Sequence, residues 1–297
     1  MRWKTRVTEL LGCEYPILQG AMSQLGKWKF AAAVSEAGAC GCITAHVSLT
    51  PERLRGDIQR CRSATSKPFV VNLTVGMCPH IDEMLDVCLE EGIDVIETSA
   101  FTADSYGKRI KEAGRKWIHK TAIVRHALHA EKQGADAVIL VGLEGTGIKN
   151  SSQLPTMTTI AWAAKQIKVP IIAAGGIGDA HTFLAGLALG AEGVMMGTAF
   201  TATKESPLSA RYKENIIRSS PDDPQLRNIV LAPSNLGNYE EMMKRGIVTR
   251  SGGRQSESKS FAVAYIDRIP TINELVEGII KGAEDILASW EFLKGMG

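Results

Sequence analysis

The stretch Pro170-Ile-Ile-Ala-Ala-Gly-Gly-Ile-Gly-Asp179, followed by Ala191-Glu-Gly-Val-Met-Met-Gly-Thr-Ala-Phe200, decides the fold. Each half reads as a short buried strand that opens into glycine. Two such strand ends side by side make a cradle for an anion. Gly175, Gly176, Gly178 and Gly197 carry no side chain, so backbone N–H groups and the N-terminus of the following helix can close on a phosphate. The pair points to a phosphorylated ligand, whereas either half alone could be no more than a tight strand-to-helix turn.

Working outward, short apolar runs recur at intervals of roughly 25 residues, at 16–19, 41–45, 68–74, 94–98, 116–120, 137–141, 170–174 and 193–196. The segments between them, 29–37, 51–64, 81–91, 105–113, 124–133, 158–167 and 180–189, read as helices. Many stop at a glycine just before the next run: Gly38, Gly92, Gly114, Gly134 and Gly190. Strands alternating with helices argue for parallel βαβ units. Eight of them match a (β/α)8 TIM barrel, an α/β fold whose phosphate site usually follows the seventh and eighth strands. A doubly wound sheet would need a G-x-G-x-x-G after an early strand. The nearest approach, Gly145-Thr-Gly147, has Asn150 where the third glycine belongs.

After the eighth run the beat stops. Residues 206–218 look helical, 221–224 form a break, 228–246 form a second helical stretch, and 249–260 read as a polar loop. Residues 272–293 carry apolar side chains at helical spacing and make a closing helix. Residues 1–200 with 271–297 are therefore expected to form the barrel. Residues 201–270 are an excursion over its mouth, suited to a lid and to the subunit contact of a homodimer.

The 34 Lys and Arg balance 32 Asp and Glu, so no basic field favours nucleic acid. Apolar stretches such as 135–142 and 169–176 are broken by glycine or charge well short of the roughly 20 residues that a membrane helix needs. The basic N-terminus is followed by no apolar segment with a small-residue cleavage site, so a cytoplasmic protein is expected. The six cysteines show no regular framework. Cys40-Gly41-Cys42 lacks a second Cys/His pair at metal spacing, which favours buried thiols and no metal site.

Functional groups of a barrel lie at the C-terminal ends of its strands. The pattern places Gly20-Ala21-Met22 after the first strand, His46 after the second, Asn72 in the third, Glu97 to Ser99 after the fourth, and His119-Lys120 at the fifth. The sixth delivers Gly142 to Asn150, including Gly147 and Lys149. This set suits a planar heterocycle with a phosphate tail. Gln19 and Asn72 can donate to and accept from ring carbonyl and N–H groups, Lys120 can stabilise negative charge on a reduced ring, and Gly20 with Ala21 lets backbone approach. Asn72 could instead tie down a loop, and Lys120 could pair with Glu97. His46 is the imidazole that would face the mouth, unless it is a hydrogen-bonded structural histidine.

Pro16 to Met22, Pro68 to Leu73, His119-Lys120, Gly134 to Ala137, Ala173 to Asp179 and Gly190 to Phe200 together resemble the nitronate monooxygenase family, once called 2-nitropropane dioxygenases. The likeness runs from about residue 5 to 206, with its motifs in the family's order. It implies a TIM barrel that binds FMN, with relatives that oxidise nitronates, reduce quinones with NAD(P)H, or reduce enoyl thioesters. By this resemblance Gly20, Ala21, Met22, Asn72 and Lys120 line the isoalloxazine, while Gly175, Gly176, Gly197 and Thr198 hold the phosphate. Gln19, Gly147, Ala174 and Met196, at neighbouring strand ends, complete the expected cofactor set, and NAD(P)H is an expected co-substrate. One departure stands out. The family's sixth-strand motif ends in Gly-His, and here Ile148 occupies the histidine's place. Isoleucine cannot move a proton, so Lys149, Glu144 and His46 become the candidates for that duty.

Overall fold

In the computed structural model, which describes residues 3–23, 25–232 and 259–290, a helix α1 (Arg6–Leu11) precedes eight strands. These are β1 (Ile17–Gln19), β2 (Gly41–Thr44), β3 (Phe69–Thr74), β4 (Val95–Ser99), β5 (Lys116–Thr121), β6 (Ala137–Val141), β7 (Ile171–Ala174) and β8 (Gly193–Met196). All ladders are parallel, in the order β1-β8-β7-β6-β5-β4-β3-β2. The ring closes at β1–β2, where Gln19 N donates to Cys40 O (2.9 Å) and Cys40 N to Ile17 O (2.8 Å). The protein is a (β/α)8 TIM barrel.

Strand ends fall within a residue of their sequence expectations, because most of the runs are short and apolar and the helices before many of them stop at a glycine. The outer helices are α2 (Trp28–Glu36), α4 (Pro51–Ala64), α5 (Ile81–Glu90), α6 (Asp104–Glu112), α7 (Val124–Lys132), α8 (Thr156–Ala163) and α9 (Ala180–Ala188), with a short α3 (Ala45–Ser48) between β2 and α4. Helix α8 lies earlier than expected, starting directly after Pro155. Side chains alternate around the wall. Leu18, Cys40, Cys42, Val70, Ile118, Ile139 and Ile172 fill the interior, and Ile17, Ile43, Val71, Trp117, Val138 and Val194 pack under the helices. Helix α1 was hidden from the periodicity. It sends Val7 and Leu11 into the interior cluster, so closely that a Cβ on Gly193 would lie 2.8 Å from Val7.

Beyond β8, α10 (Thr198–Thr201) leads to α11 (Ala210–Arg218) and α12 (Pro224–Leu231). The expected break at 221–224 ends one residue early, because Pro224 opens α12 behind an Asp223 cap. Most of the expected second helical stretch, and of the polar loop 249–260, falls outside the described residues. A 3-10 turn (Phe261–Tyr265) then leads to the closing helix Ile272–Ser289, which starts on a Thr271–Glu274 capping box. It packs on α9, where a Cβ on Gly282 would approach Ala180 to 2.9 Å. Among the described residues no helix is long and apolar enough to cross a membrane.

Candidate active site

Two cavities meet at the C-terminal end of the barrel. The smaller, about 330 Å³, is lined by Gly20, Ala21 and Met22 after β1, by Gly145 to Gly147 after β6, by Ala174, Gly175 and Gly176 after β7, and by Gly197 and Thr198 after β8. The larger, about 680 Å³, shares Ala21, Ser23, Lys120, Val141, Thr146 and Gly147 with it and runs on past His46, Ile148 and Lys149. The strand ends singled out by sequence thus converge on one mouth.

The far end of the smaller cavity has the geometry of a backbone cradle. Gly175 and Gly176 have φ of 99° and 72°, in the left-handed region that glycine adopts without steric cost. A Cβ on Gly175 would lie 2.9 Å from Gly142 O, and one on Gly176 would lie 3.0 Å from Glu144 Cβ. A Cβ on Gly197 would meet nothing nearer than Met22 Sδ at 3.9 Å. Ser260 closes this end from far along the chain: its hydroxyl lies 2.8 Å from Thr198 Oγ1, and its N–H donates to the same oxygen at 3.1 Å. Sequence reasoning missed Ser260, which lies in a polar segment with no local signal. A ring of small residues, backbone amides and two hydroxyls fits a terminal phosphate, with a flat group lying toward Ala21 and Gly147.

Where the two cavities join, Lys120 Nζ pairs with Glu97 Oε1 at 2.8 Å. Glu97 is fully buried, and a second hold comes from Asn72 Nδ2, which donates to it at 2.9 Å and to Ser99 Oγ at 3.1 Å. Asn72 Oδ1 accepts from Thr74 Oγ1 at 2.7 Å. Asn72 therefore stands behind the cavity wall, expected ring contact notwithstanding, while Thr74 and Ser99 line the wall itself. The carboxylate fixes the ammonium in place, so Lys120 presents a positioned positive charge to both chambers.

Four more expectations change on the same geometric grounds. Gln19 does not reach the mouth, since its Nε2 donates to Cys42 O (3.0 Å) and its Oε1 accepts from Cys42 N (3.1 Å). Met196 points away, under the helices, and Met195 lines the cavity, because successive strand residues alternate faces. Lys149 is buried, with Nζ donating to Leu143 O and, at 2.8 Å, to Gly145 O. Burial lowers its pKa to about 8, and its bonds make it a tie across the β6 loop. Glu144 Oε2 is likewise engaged, accepting from Thr156 N and Thr156 Oγ1, both at 2.8 Å.

His46 stands at the start of α3, on the wall of the larger cavity. Its Nε2 is 3.2 Å from Ser23 Oγ, and its Nδ1 is buried with no hydrogen-bond partner among the described residues. Burial, with Lys120 adding, pushes its pKa down to about 4, so the ring is neutral at neutral pH. Ile148 lines the same cavity and brings only hydrocarbon.

Comparison with known proteins identifies the family. The family model described as nitronate monooxygenase matches residues 4–288. A probable nitronate monooxygenase of Staphylococcus aureus (strain MSSA476) is 31% identical over 326 aligned positions, covering 95% of this chain and 88% of that protein. Among solved structures, FabK from Thermotoga maritima superposes with a TM-score of 0.84 at 34% identity, covering 99% of each chain. A Mycobacterium tuberculosis protein named (3aS,4S,5R,7aS)-5-hydroxy-7a-methyl-1-oxo-octahydro-1H-indene-4-carboxyl-CoA dehydrogenase is 31% identical over 226 positions, 75% of this chain and 62% of the relative.

Proposed function

This chain belongs to the nitronate monooxygenase family, and we propose that it is an FMN-dependent oxidoreductase whose substrate is a nitronate or a comparable carbanion. The observation that carries this reading is the glycine cradle after β7 and β8, which opens through one continuous space onto the larger cavity. Gly175, Gly176, Gly197, Thr198 and Ser260 would hold the phosphate, and Gly20, Ala21, Met22, Lys120, Gly147, Ala174 and Met195 would border the ring. The cradle suits one terminal phosphate, and the chain has no dinucleotide fingerprint for an adenosine half, which favours FMN over FAD. When bound, the flavin supplies a two-electron acceptor.

The protein's own contribution is electrostatic and positional. Lys120, pinned by Glu97, offers a preorganised cation to an anionic substrate or to charge developing on the ring. Val141 and Ile148 make one side of the larger cavity apolar. An already ionised substrate needs no base, which is consistent with isoleucine at position 148. Lys149 and Glu144 are spent on their own loop, which leaves neutral His46, on the cavity wall, as the one of the three to test for proton transfer should a neutral substrate be turned over.

The size of the larger cavity favours a second reading, in which NAD(P)H supplies the two electrons that reduce a quinone or an α,β-unsaturated acyl thioester, or in which a saturated acyl thioester is dehydrogenated and its two electrons pass through the flavin to NAD(P)+. The relative named as a carboxyl-CoA dehydrogenase supports it. Anaerobic titration of the holoprotein with a nitronate, NADH and NADPH separates the two. Bleaching by the nitronate alone is expected, rapid bleaching by a nicotinamide would favour the second reading, and no reduction by any donor at stoichiometric flavin would leave only a flavin-binding protein.

A further inference from the structure

The larger cavity does not end at the mouth of the barrel. One part is bordered by inward-facing groups, among them Ala21 and Lys120, and another by Phe101, Ala103, Trp117, His119 and Ala130. Trp117 and His119 alternate with Ile118 and Lys120 along β5 and so point outward, toward α6 and α7. The cavity therefore crosses the top of the barrel wall and descends between β5 and those two helices. Trp117 can lie against α6 because residue 107 is glycine; a Cβ there would sit 2.5 Å from the indole ring.

Ala103, Trp117 and Ala130 give this outer arm a buried apolar wall, with Phe101 beside them; Thr121 and a built polar group interrupt it, and the more exposed Thr102, Asp104, His126 and His129 border the same cavity, Asp104 Oδ2 and His129 Nε2 lying 2.8 Å apart. Trp117 Nε1, which can only donate, does so to Thr98 Oγ1 at 2.7 Å. Thr98 Oγ1 lies 2.9 Å from His119 Nδ1, which among the described residues is the acceptor within reach of the hydroxyl's own proton. His119 Nδ1 is then the acceptor, and the ring's proton sits on Nε2, which opens on the cavity. Burial holds the ring neutral, its pKa lowered to about 4, so what it offers a ligand is a hydrogen-bond donor without charge.

We propose that this arm is a subsite for the part of the substrate remote from the reacting atoms, and that it takes an apolar group bearing one neutral hydrogen-bond-accepting oxygen, received by Nε2–H of His119. The proposal deepens the functional reading above, because it names the substrate class of that same site. A small nitronate would leave the arm to water; a substrate with a carbonyl or hydroxyl on a distal carbon framework would fill it and satisfy a donor that is costly to leave unpaired.

The test is binding of 1-indanone against indane to the protein as purified, followed by quenching of Trp117 fluorescence and by calorimetry. A net hydrogen bond corresponds to about threefold to tenfold in affinity, and the ketone is expected to win by that factor. His119→Leu should abolish the preference, His119→Gln, which retains an N–H donor, should keep part of it, and Ala130→Leu should weaken both ligands by filling the arm. Flavin content should be unchanged in all three. Equal affinities in the wild type, a preference that survives His119→Leu, or indifference of both ligands to Ala130→Leu would overturn the proposal. Absence of flavin alongside the expected ketone preference would overturn the FMN reading and leave the subsite standing.

Discussion

Ile148 sets the chemical limits of the site. A neutral nitroalkane must lose its α-proton before electrons can leave it, and a positioned base contributes about 10²- to 10⁴-fold to such a step. The wild type is therefore expected to be near background on a neutral nitroalkane while oxidising its preformed nitronate, and Ile148→His should raise the former rate. Parallel assays of both compounds check this. Substantial wild-type turnover of the neutral compound, abolished by His46→Ala, would place the base at His46. The phosphate end is open to an equally direct test. Gly176→Asp puts a carboxylate into the cradle and beside Glu144, whose Cβ is already 3.0 Å from the position of the new Cβ. Flavin retention should be lost with the barrel still folded, and native flavin content in this variant would place the phosphate elsewhere.

Among the elements, β1 explains both a success and a miss of sequence reading. It spans Ile17–Gln19, and directly after it Gly20 N turns to Met196 O at 2.8 Å. In a parallel ladder one residue's N–H and C=O face the same neighbour, and those of Cys40 meet the β1 backbone. Two residues on, Cys42 finds no strand, and the Gln19 side chain supplies both partners. The sequence showed an amide near the mouth but not that two backbone groups across the barrel seam would claim it. Gln19→Leu should leave those two groups unsatisfied and cost about 2 to 6 kcal/mol, read as a lower midpoint in urea denaturation. A loss under about 0.5 kcal/mol would show that the seam closes without it. The Met195–Met196 exchange has a similar origin: an apolar run on both faces gives no phase from which to tell inward from outward.

For the whole molecule, the barrel was legible because eight apolar runs and their glycine stops are local signals, whereas Ser260 meets Thr198 only through the tertiary fold, 62 residues apart. Outward-pointing positions such as His119 are also invisible as site residues until the helices that cover them are placed. Burial of the histidines has a global consequence as well. His46 and His119 titrate near 4 when folded, against about 6.5 in an unfolded chain. Between those values the unfolded state binds protons that the folded state refuses, so stability rises with pH across this window and is lost as pH falls through it. The slope for two such groups is up to about 2.7 kcal/mol per pH unit, and urea midpoints at pH 7 and pH 5 should differ accordingly in the wild type. The double variant His46→Asn, His119→Gln should narrow that difference; an unchanged difference would mean that carboxylates carry the whole effect.

The central claim is that the two glycine turns at the barrel mouth seat the phosphate of one flavin mononucleotide. Mass spectrometry of the cofactor released from the purified, yellow protein tests it most directly. The expected result is FMN at about one per chain, and FAD, or no flavin after reconstitution with excess FMN, would contradict it.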